Sequence, residues 1–148
     1  MLRRRLVLVY AGRPRLSGDL HERVWTRYRE GDAHVRNALA SLKQCALSMN
    51  AALANGDLDT FGRLLNDNWS AQKALHPSIT TSQLEEVFER AQKHGALGGK
   101  ACGAGGGGCM VFLAEEGREA ELRAALRASK LELIDFDFDT YGVFLKKG

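Results

Sequence analysis

Glycines are the residues of this 148-residue chain whose type and spacing are best suited to chemistry. From Gly95 to Cys109 the sequence reads GALGGKACGAGGGGC, and between Gly103 and Gly108 only Ala104 is not glycine. Because glycine lacks a Cβ atom, it adopts positive φ angles and lets another molecule approach the main chain, at an entropic cost to folding. Backbone amides exposed in this way form concavities that bind anions, above all phosphate. The stretch therefore predicts a phosphate-binding loop.

The common glycine motifs do not fit this loop. A dinucleotide-binding G-x-G-x-x-G must lead into a helix, whereas the apolar run that begins at Cys109 is typical of a strand. In a Walker A reading, His94 stands where the first glycine should be and Ala101 replaces the Ser or Thr. The V-A-I-K, H-R-D and D-F-G motifs that accompany a protein-kinase loop do not occur in the sequence.

A better match is the third signature motif of the GHMP kinases, the superfamily of galactokinase, homoserine kinase, mevalonate kinase and phosphomevalonate kinase. The segment Gly98–Cys109 resembles its K-L-x-G-A-G-G-G-G-C form, with Ala101 in place of the usual Leu and Cys102 where Thr or Leu is common. Within this superfamily, Leu6–Leu20 is most similar to bacterial D-glycero-D-manno-heptose 7-phosphate kinase-like sugar kinases. Further matches to these kinases lie at Gly56, Asp57, Leu58, Phe61, Gly62, Leu65, Trp69, Phe136, Asp137, Phe138 and Gly142. The resemblance covers nearly the whole chain but only the C-terminal half of such a kinase.

The resemblance implies ATP-dependent and Mg²⁺-dependent phosphoryl transfer to a sugar phosphate. In such a kinase the glycine loop and the adjoining lysine border the ATP phosphates, which assigns a nucleotide-binding role to Lys100, Gly103, Ala104, Gly105, Gly106, Gly107 and Gly108. The loop after the first strand borders the acceptor sugar, which assigns substrate binding to Arg13, Arg15 and Ser17. Arginine suits phosphate because its guanidinium is a planar fork of donors. A solvated basic turn is the alternative for the two arginines.

The resemblance also implies that these residues form one C-terminal domain, 1–148, and that catalysis needs an N-terminal domain in cis or in trans. In the family that domain carries P-x-x-x-G-L-G-S-S and usually an Asp and a Lys at the reaction centre, and none of these is matched here. We therefore expect no catalytic residue, no metal ligand and no activity from the chain alone. The alternatives are a stand-alone ferredoxin-like module that binds an anionic small ligand, and a loop that is only a hairpin tip. A homo-oligomer is possible if apolar surface is left uncovered.

Length and composition bound these hypotheses. The length predicts one domain with a core of its own, and 45% hydrophobic and 26% charged residues are ordinary for a globular protein. A net charge of +3 does not require nucleic acid as a partner. The apolar run after Arg3–Arg5 is interrupted by Arg13 and Arg15 and lacks a cleavage site, so we expect neither a signal peptide nor a membrane span. Cys45, Cys102 and Cys109 show no metal-binding or disulfide spacing, which suits a reduced cytoplasmic setting.

The first half of the chain predicts one strand followed by helices. Leu6–Tyr10 is a continuous β-prone run, and a short helix is expected over 20–28. Asp32 and Asp57 are placed to cap two further helices with apolar stripes. A fourth helix begins at a capping box from Ser82 to Glu85, or at Thr81, and ends at Gly95.

After Gly95 the pattern becomes mostly extended. Strands are expected over 96–102, 109–114, 131–138 and 143–145, with a helix around Leu122 and Leu126. Asp135, Asp137 and Asp139 alternate with apolar residues, which is typical of the wet face of a strand, although three carboxylates also suit a hard cation. Because strands and helices segregate, the sequence predicts an α+β fold with helices on one side of a mostly antiparallel sheet. This agrees with the ferredoxin-like C-terminal domain that the resemblance implies.

Overall fold

The computed structural model describes residues 1–12 and 17–143, except for the side chain of Ser17. Seven helical segments and four strands follow one another in this part of the chain. Their order is α1 Leu2–Arg5, β1 Leu6–Tyr10, α2 Ser17–Arg29, α3 Ala33–Ala54, α4 Leu58–Leu75, a 3₁₀ turn Pro77–Ile79, α5 Ser82–Lys93, β2 Ala96–Ala101, β3 Cys109–Ala114, α6 Glu119–Ala128 and β4 Glu132–Ile134.

The four strands form one antiparallel sheet in the order β2-β3-β1-β4. In its register Val7 lies opposite Phe112 and Ala101 lies opposite Met110. With α5 before β2 and α6 between β3 and β4, the sheet and these two helices have the split β-α-β arrangement of ferredoxin-like folds. The predicted α+β fold class is confirmed, and β1 lies inside the sheet as its continuous apolar run predicts. The expectation that the helices lie on one side of the sheet is wrong, because α4 packs on the face opposite to α5 and α6.

Alternation along the strands creates two apolar clusters. One face of β1 and β3 packs against α5 and α6, in a cluster that includes Val7, Val9, Met110, Phe112, Leu84, Val87, Ala91, Leu122 and Leu126. The opposite side chains of the same strands meet α4 in a smaller cluster of Leu6, Leu58, Leu65 and Leu113. The sheet therefore holds the strands flanking the glycine loop in a packed core.

Helix α4 approaches β2 unusually closely. A Cβ atom on Gly98 would lie 1.8 Å from the carbonyl oxygen of Gly62, so the contact requires glycine in the strand. Asn66 then pairs with the outer edge of β2, because its Nδ2 donates to Leu97 O (3.1 Å) and its Oδ1 accepts from Gly99 N (3.0 Å). One asparagine side chain thus supplies the partners that a neighbouring strand would give.

The caps follow the sequence closely. The carboxylate of Asp32 accepts from the amides of His34 and Val35, and that of Asp57 accepts from Thr60 N. Helix α5 uses Thr81 as its N-cap, and Glu85 bonds Lys73 and Thr80 instead of closing a box on Ser82.

The C-terminal region departs from the prediction. Strand β4 ends at Ile134 instead of residue 138, and no strand occurs at Val143; residues 144 and 145 lie outside the described part of the chain. Asp137 Oδ1 accepts from Phe138 N, and Asp139 Oδ1 accepts from Tyr141 N. These local bonds offer the backbone an alternative to a sheet ladder. The three aspartates are exposed, but they do not form the predicted wet face of a strand.

Two further findings concern helices. The short helix α1 was not predicted, and it places the buried Arg5 where its Nε donates to Ala114 O at 2.9 Å. None of the helices in residues 1–12 and 17–143 combines the length and the hydrophobicity that a membrane span requires.

Candidate functional site

The glycine loop connects β2 to β3 and has a backbone that only glycine adopts readily. The strands close at its base, where Cys102 N donates to Cys109 O at 2.8 Å. The φ angles are positive at five loop positions: +68° at Gly103, +85° at Gly105, +76° at Gly106, +147° at Gly107 and +80° at Gly108. Side chains at these positions would strain the main chain, so the glycine content follows from the path of the loop.

The loop is anchored to three other parts of the chain. Gly106 N donates to Ile79 O at 2.6 Å, and a Cβ atom on Gly105 would lie 2.5 Å from the same oxygen. Gln72 Nε2 donates to Gly103 O at 2.8 Å. Gly108 pairs with the end of β1, where its amide donates to Gly12 O at 2.9 Å. A hairpin tip that serves only as a connection needs no such bonds, so this alternative agrees poorly with the structure.

Three other backbone amides of the loop have no hydrogen-bond partner in the described part of the chain. The N–H groups of Ala104, Gly105 and Gly107 donate to no backbone or side-chain acceptor within the described ranges 1–12 and 17–143. Amides of this kind, held by a loop that is fixed elsewhere, are the donors that a phosphate needs. The loop therefore offers backbone donors suited to an anionic group such as phosphate.

Lys100 provides a positive charge beside the loop. It lies on β2 opposite Val111, and it lines the same cavity as Gly103 and Ala104. Burial lowers the pKa of its ammonium group, and the charge interactions with Cys102 and Cys45 act in the other direction without offsetting the effect of burial. It has no ion pair with any residue in the described part of the chain. A partly desolvated cation without a counter-charge is suited to an anionic ligand.

The residues predicted to bind substrate lie outside the described part of the chain or at its boundary. Arg13 and Arg15 fall outside the described residues, and only the backbone of Ser17, at the start of α2, is described. Gly12 is bonded to Gly108, so the chain enters the segment 13–16 directly beside the glycine loop. The substrate-binding roles of these three residues stay predictions.

A cavity of about 310 Å³ adjoins the loop between α2, α3 and α4. Its walls are mostly apolar, and Asn68, Gln72 and Lys100 contribute the polar groups together with His21. Asn68 and Gln72 were not singled out in the sequence. The available signal is that both lie on the apolar face of α4 that also carries Leu65 and Trp69, where polar residues are unexpected.

The alternative of a cation site at Asp135, Asp137 and Asp139 finds no support in the geometry. Throughout residues 1–12 and 17–143, no three His, Cys, Asp or Glu side chains are grouped so that they could hold a metal ion. Asp137 is instead paired with Arg3 at 2.9 Å.

Comparison with known sequences connects this loop to a kinase family. A family model described as "GHMP kinases C terminal" matches residues 49–132, which is more than half of the chain. The D-glycero-alpha-D-manno-heptose 7-phosphate kinase of Campylobacter jejuni is 31% identical over 142 residues, which are 96% of this chain and 41% of that protein. The bifunctional fucokinase/GDP-fucose pyrophosphorylase of Arabidopsis thaliana is 32% identical over 95% of this chain and 13% of that protein. The chain thus spans less than half the length of these curated relatives.

Comparison with solved structures supports the fold. The mevalonate kinase of L. major, solved in complex with R-mevalonate, superimposes with a TM-score of 0.75 at 24% identity over 83% of this chain and 37% of that one. At this identity the likeness concerns the fold alone. Taken together, the matching family model, the relatives and the glycine loop show that this chain belongs to the GHMP kinase C-terminal domain family.

Proposed function

We propose that this chain is the C-terminal part of an ATP-dependent sugar-phosphate kinase. The observation that carries the proposal is the anchored glycine loop, whose open amides and neighbouring Lys100 suit phosphate. Phosphoryl transfer depends mainly on positioning and on stabilising charge around the phosphates. A rigid loop of backbone amides contributes to both.

Each residue of the site has a proposed role. The amides of the glycine loop would border the phosphates of ATP, with the loop residues Gly103, Ala104, Gly105, Gly106, Gly107 and Gly108 acting together with Lys100. With the N-terminal domain present, ATP would supply the phosphoryl group and Mg²⁺ would neutralise charge on its phosphates. Arg13, Arg15 and Ser17 follow the strand that is bonded to the loop, and they would border the acceptor.

The proposed acceptor is a heptose phosphate or a similar sugar phosphate. Support comes from the relative of Campylobacter jejuni, whose name specifies a heptose 7-phosphate and whose identity extends over 96% of this chain. Arg13 and Arg15, which follow β1 in the sequence, are suited to a second phosphate on the acceptor.

We further propose that activity requires an N-terminal GHMP kinase domain, supplied in cis or in trans. This chain spans 41% of the Campylobacter jejuni relative, and its sequence contains no match to the P-x-x-x-G-L-G-S-S loop. Alone, residues 1–148 are expected to turn over no substrate.

Isothermal titration with ATP·Mg²⁺ tests the proposal. The chain should bind nucleotide weakly or not at all by itself, and clearly after addition of the N-terminal half of a related heptose kinase. Gly107→Ala places a side chain at φ +147° in the loop and should weaken this binding. Gly56→Ala is the matched control, because Gly56 also has a positive φ angle, +69°, and has open space for a Cβ atom, but lies outside the glycine loop. If the mixture binds no nucleotide, or if both variants bind equally, the proposed role of the loop is wrong.

A second candidate function is a regulatory or binding module for an anionic small ligand. It is favoured by the fact that the open amides and Lys100 both belong to this chain, so anion binding needs no second domain. Tight binding of a nucleotide or sugar phosphate by the chain alone, without any effect of the N-terminal half, would support the module over the kinase.

A further inference from the structure

The cavity between α2, α3, α4 and the glycine loop contains buried polar atoms that have no partner. Asn68 and Gln72 are exposed by only 8% and 7%. Asn68 Oδ1 and Gln72 Oε1 are nevertheless unpaired within the described ranges 1–12 and 17–143. A buried acceptor without a donor loses its hydration with no hydrogen bond in exchange, so these two oxygens call for a hydrogen-bonding partner inside the cavity.

The orientation of the Gln72 amide is fixed by the glycine loop. Its Nε2 donates to Gly103 O at 2.8 Å, which leaves Oε1 as the end without a partner. This oxygen can only accept, so its partner must carry an N–H or O–H donor. Asn68 lies one helical turn earlier on the same face of α4, and its free atom is also an acceptor.

Lys100 requires the ligand to carry a hydrogen-bond acceptor as well. Lys100 lines the same cavity, and its ammonium group has only donors to offer and is not ion-paired with any described residue. A positively charged ligand is disfavoured here by charge repulsion. A hydroxyl group meets both needs, because it donates to a side-chain oxygen while accepting from the ammonium.

The remaining walls of the cavity are apolar. The polar end is surrounded by apolar side chains from α2, α3, the end of α4 and the 3₁₀ turn, namely Leu20, Val24, Leu39, Leu42, Leu75 and Ile79. Trp25 lies at the mouth with 54% of its surface exposed. Pockets of about 300 Å³ or more with a few convergent polar groups are typical of small-molecule sites. The apolar walls suit the body of a ligand, and the side chains from α4 and β2 suit its hydroxyl group.

We propose that this cavity binds a small molecule without positive charge that combines an apolar face with a hydroxyl group, which Gln72, Asn68 and Lys100 hold beside the glycine loop. This binding goes beyond phosphoryl transfer, since it requires neither ATP nor a second domain, and it shares Lys100 with the proposed phosphate site. Gln72 connects the cavity with the glycine loop, because the amide proposed to bind the ligand also donates a hydrogen bond to the carbonyl oxygen of Gly103.

Three probes of the same skeleton separate the contributions. The probes are 2-phenylethanol, which donates and accepts, (2-methoxyethyl)benzene, which only accepts, and ethylbenzene, which does neither. Each is titrated into the ¹⁵N-labelled chain, and dissociation constants are taken from backbone amide shifts. We expect shifts at Gly103, Ala104 and α2, and about five- to tenfold tighter binding of the alcohol than of its methyl ether. Equal affinity for alcohol and ether, or shifts confined to other surfaces, would overturn the proposal.

Gln72→Met then removes the acceptor while keeping an unbranched side chain. It should abolish the advantage of the alcohol over the ether, whereas Gln44→Met on the exposed face of α3 should leave it unchanged. Circular dichroism shows whether each variant is folded. If Gln72→Met does not fold, the comparison of the alcohol with its ether in the unsubstituted chain decides alone. Neither result depends on nucleotide binding, so this proposal and the kinase proposal fail separately.

Discussion

At the scale of single residues, the contact that holds α4 against β2 depends on the absence of one methyl group. The carbonyl oxygen of Gly62 occupies the space that a Cβ atom of Gly98 would need, at 1.8 Å. Both partners in this contact are main chain, so neither can swing aside as a flexible side chain would. Gly98 therefore positions the strand that leads into the glycine loop.

We expect Gly98→Ala to lower the free energy of unfolding by about 3 kcal/mol or more, because the helix must move away from the strand. Gly18→Ala is the matched control, since this glycine lies in α2 with no atom within 4 Å of the added Cβ. It should change stability by less than about 1 kcal/mol, in the stabilising direction. Urea unfolding followed by circular dichroism measures both, and equal effects would contradict the contact.

Lys100 is a second residue whose environment has a measurable consequence. Burial lowers the pKa of its ammonium below the ordinary value of 10.5. Between the folded pKa and 10.5 the unfolded chain therefore binds more protons, so the stability of the native state rises with pH in that window. Below the folded pKa, the full cost of burying the charge remains.

Lys100→Met should accordingly be more stable than the native sequence at pH 7, because it removes a partly buried charge without a counter-charge. This advantage should shrink as the pH rises through the folded pKa of Lys100 towards 10.5. Lys43→Met, at an exposed position on α3, should show no such trend. Thermal unfolding from pH 7 to 10 measures the difference, and a variant that is less stable at pH 7 would contradict this interpretation.

At the scale of elements, Asn66 acts as a substitute for a fifth strand. Its side chain bonds Leu97 O and Gly99 N on the outer edge of β2, so two partly buried backbone groups depend on one amide. The edge strand is therefore fixed in register at the point where it leads towards Lys100 and the loop.

Asn66→Ala should destabilise the fold by about 1–3 kcal/mol, since it leaves both backbone groups without their partner. It should also speed hydrogen exchange at Gly99. Asn50→Ala, on the exposed face of α3, should have little effect on either quantity. Unchanged exchange at Gly99 in the Asn66 variant would show that the edge does not depend on this side chain.

The sequence predicts most elements because local signals and packing agree in them. Alternation and β-branched residues identify β1 and β3, and Asp32, Asp57 and Gly95 mark helix ends by bonds or φ angles that need only a few neighbouring residues. Prediction from the sequence fails where contacts that the local pattern does not reveal determine the structure. Helix α1 is held by Arg5 through Ala114, which is remote in sequence. Beyond β4, Asp137 and Asp139 accept local backbone hydrogen bonds where the sequence predicts a longer strand or a turn into a further one.

The candidate site also combines a feature that local sequence signals predict with one that depends on contacts remote in sequence. The glycine loop is predictable because its composition reflects its own backbone angles. The cavity beside it is not, because Gln72 meets Gly103 only after α4 has packed against the sheet. Buried polar residues within an apolar stripe, such as Asn68 and Gln72, are the part of such a site that a sequence can signal.

At the scale of the whole molecule, the fold presents one edge at which three connections meet. The glycine loop, the end of β1 and the 3₁₀ turn at Ile79 are joined there by backbone hydrogen bonds. Loop amides without a partner in the described part of the chain, the end of β1 at Gly12 and a ligand-sized cavity are thus brought together at this edge. The kinase proposal adds that a second domain completes this edge.

The most direct test of that proposal is the rate of ATP-dependent phosphorylation of D-glycero-D-manno-heptose 7-phosphate. It is measured with residues 1–148 alone, with the N-terminal half of a related heptose kinase alone, and with both. The proposal predicts turnover only in the mixture, and its loss when Gly107→Ala replaces the native loop. Steady turnover by residues 1–148 alone would contradict the requirement for a second domain, and a folded, associated mixture without turnover would contradict the kinase assignment itself.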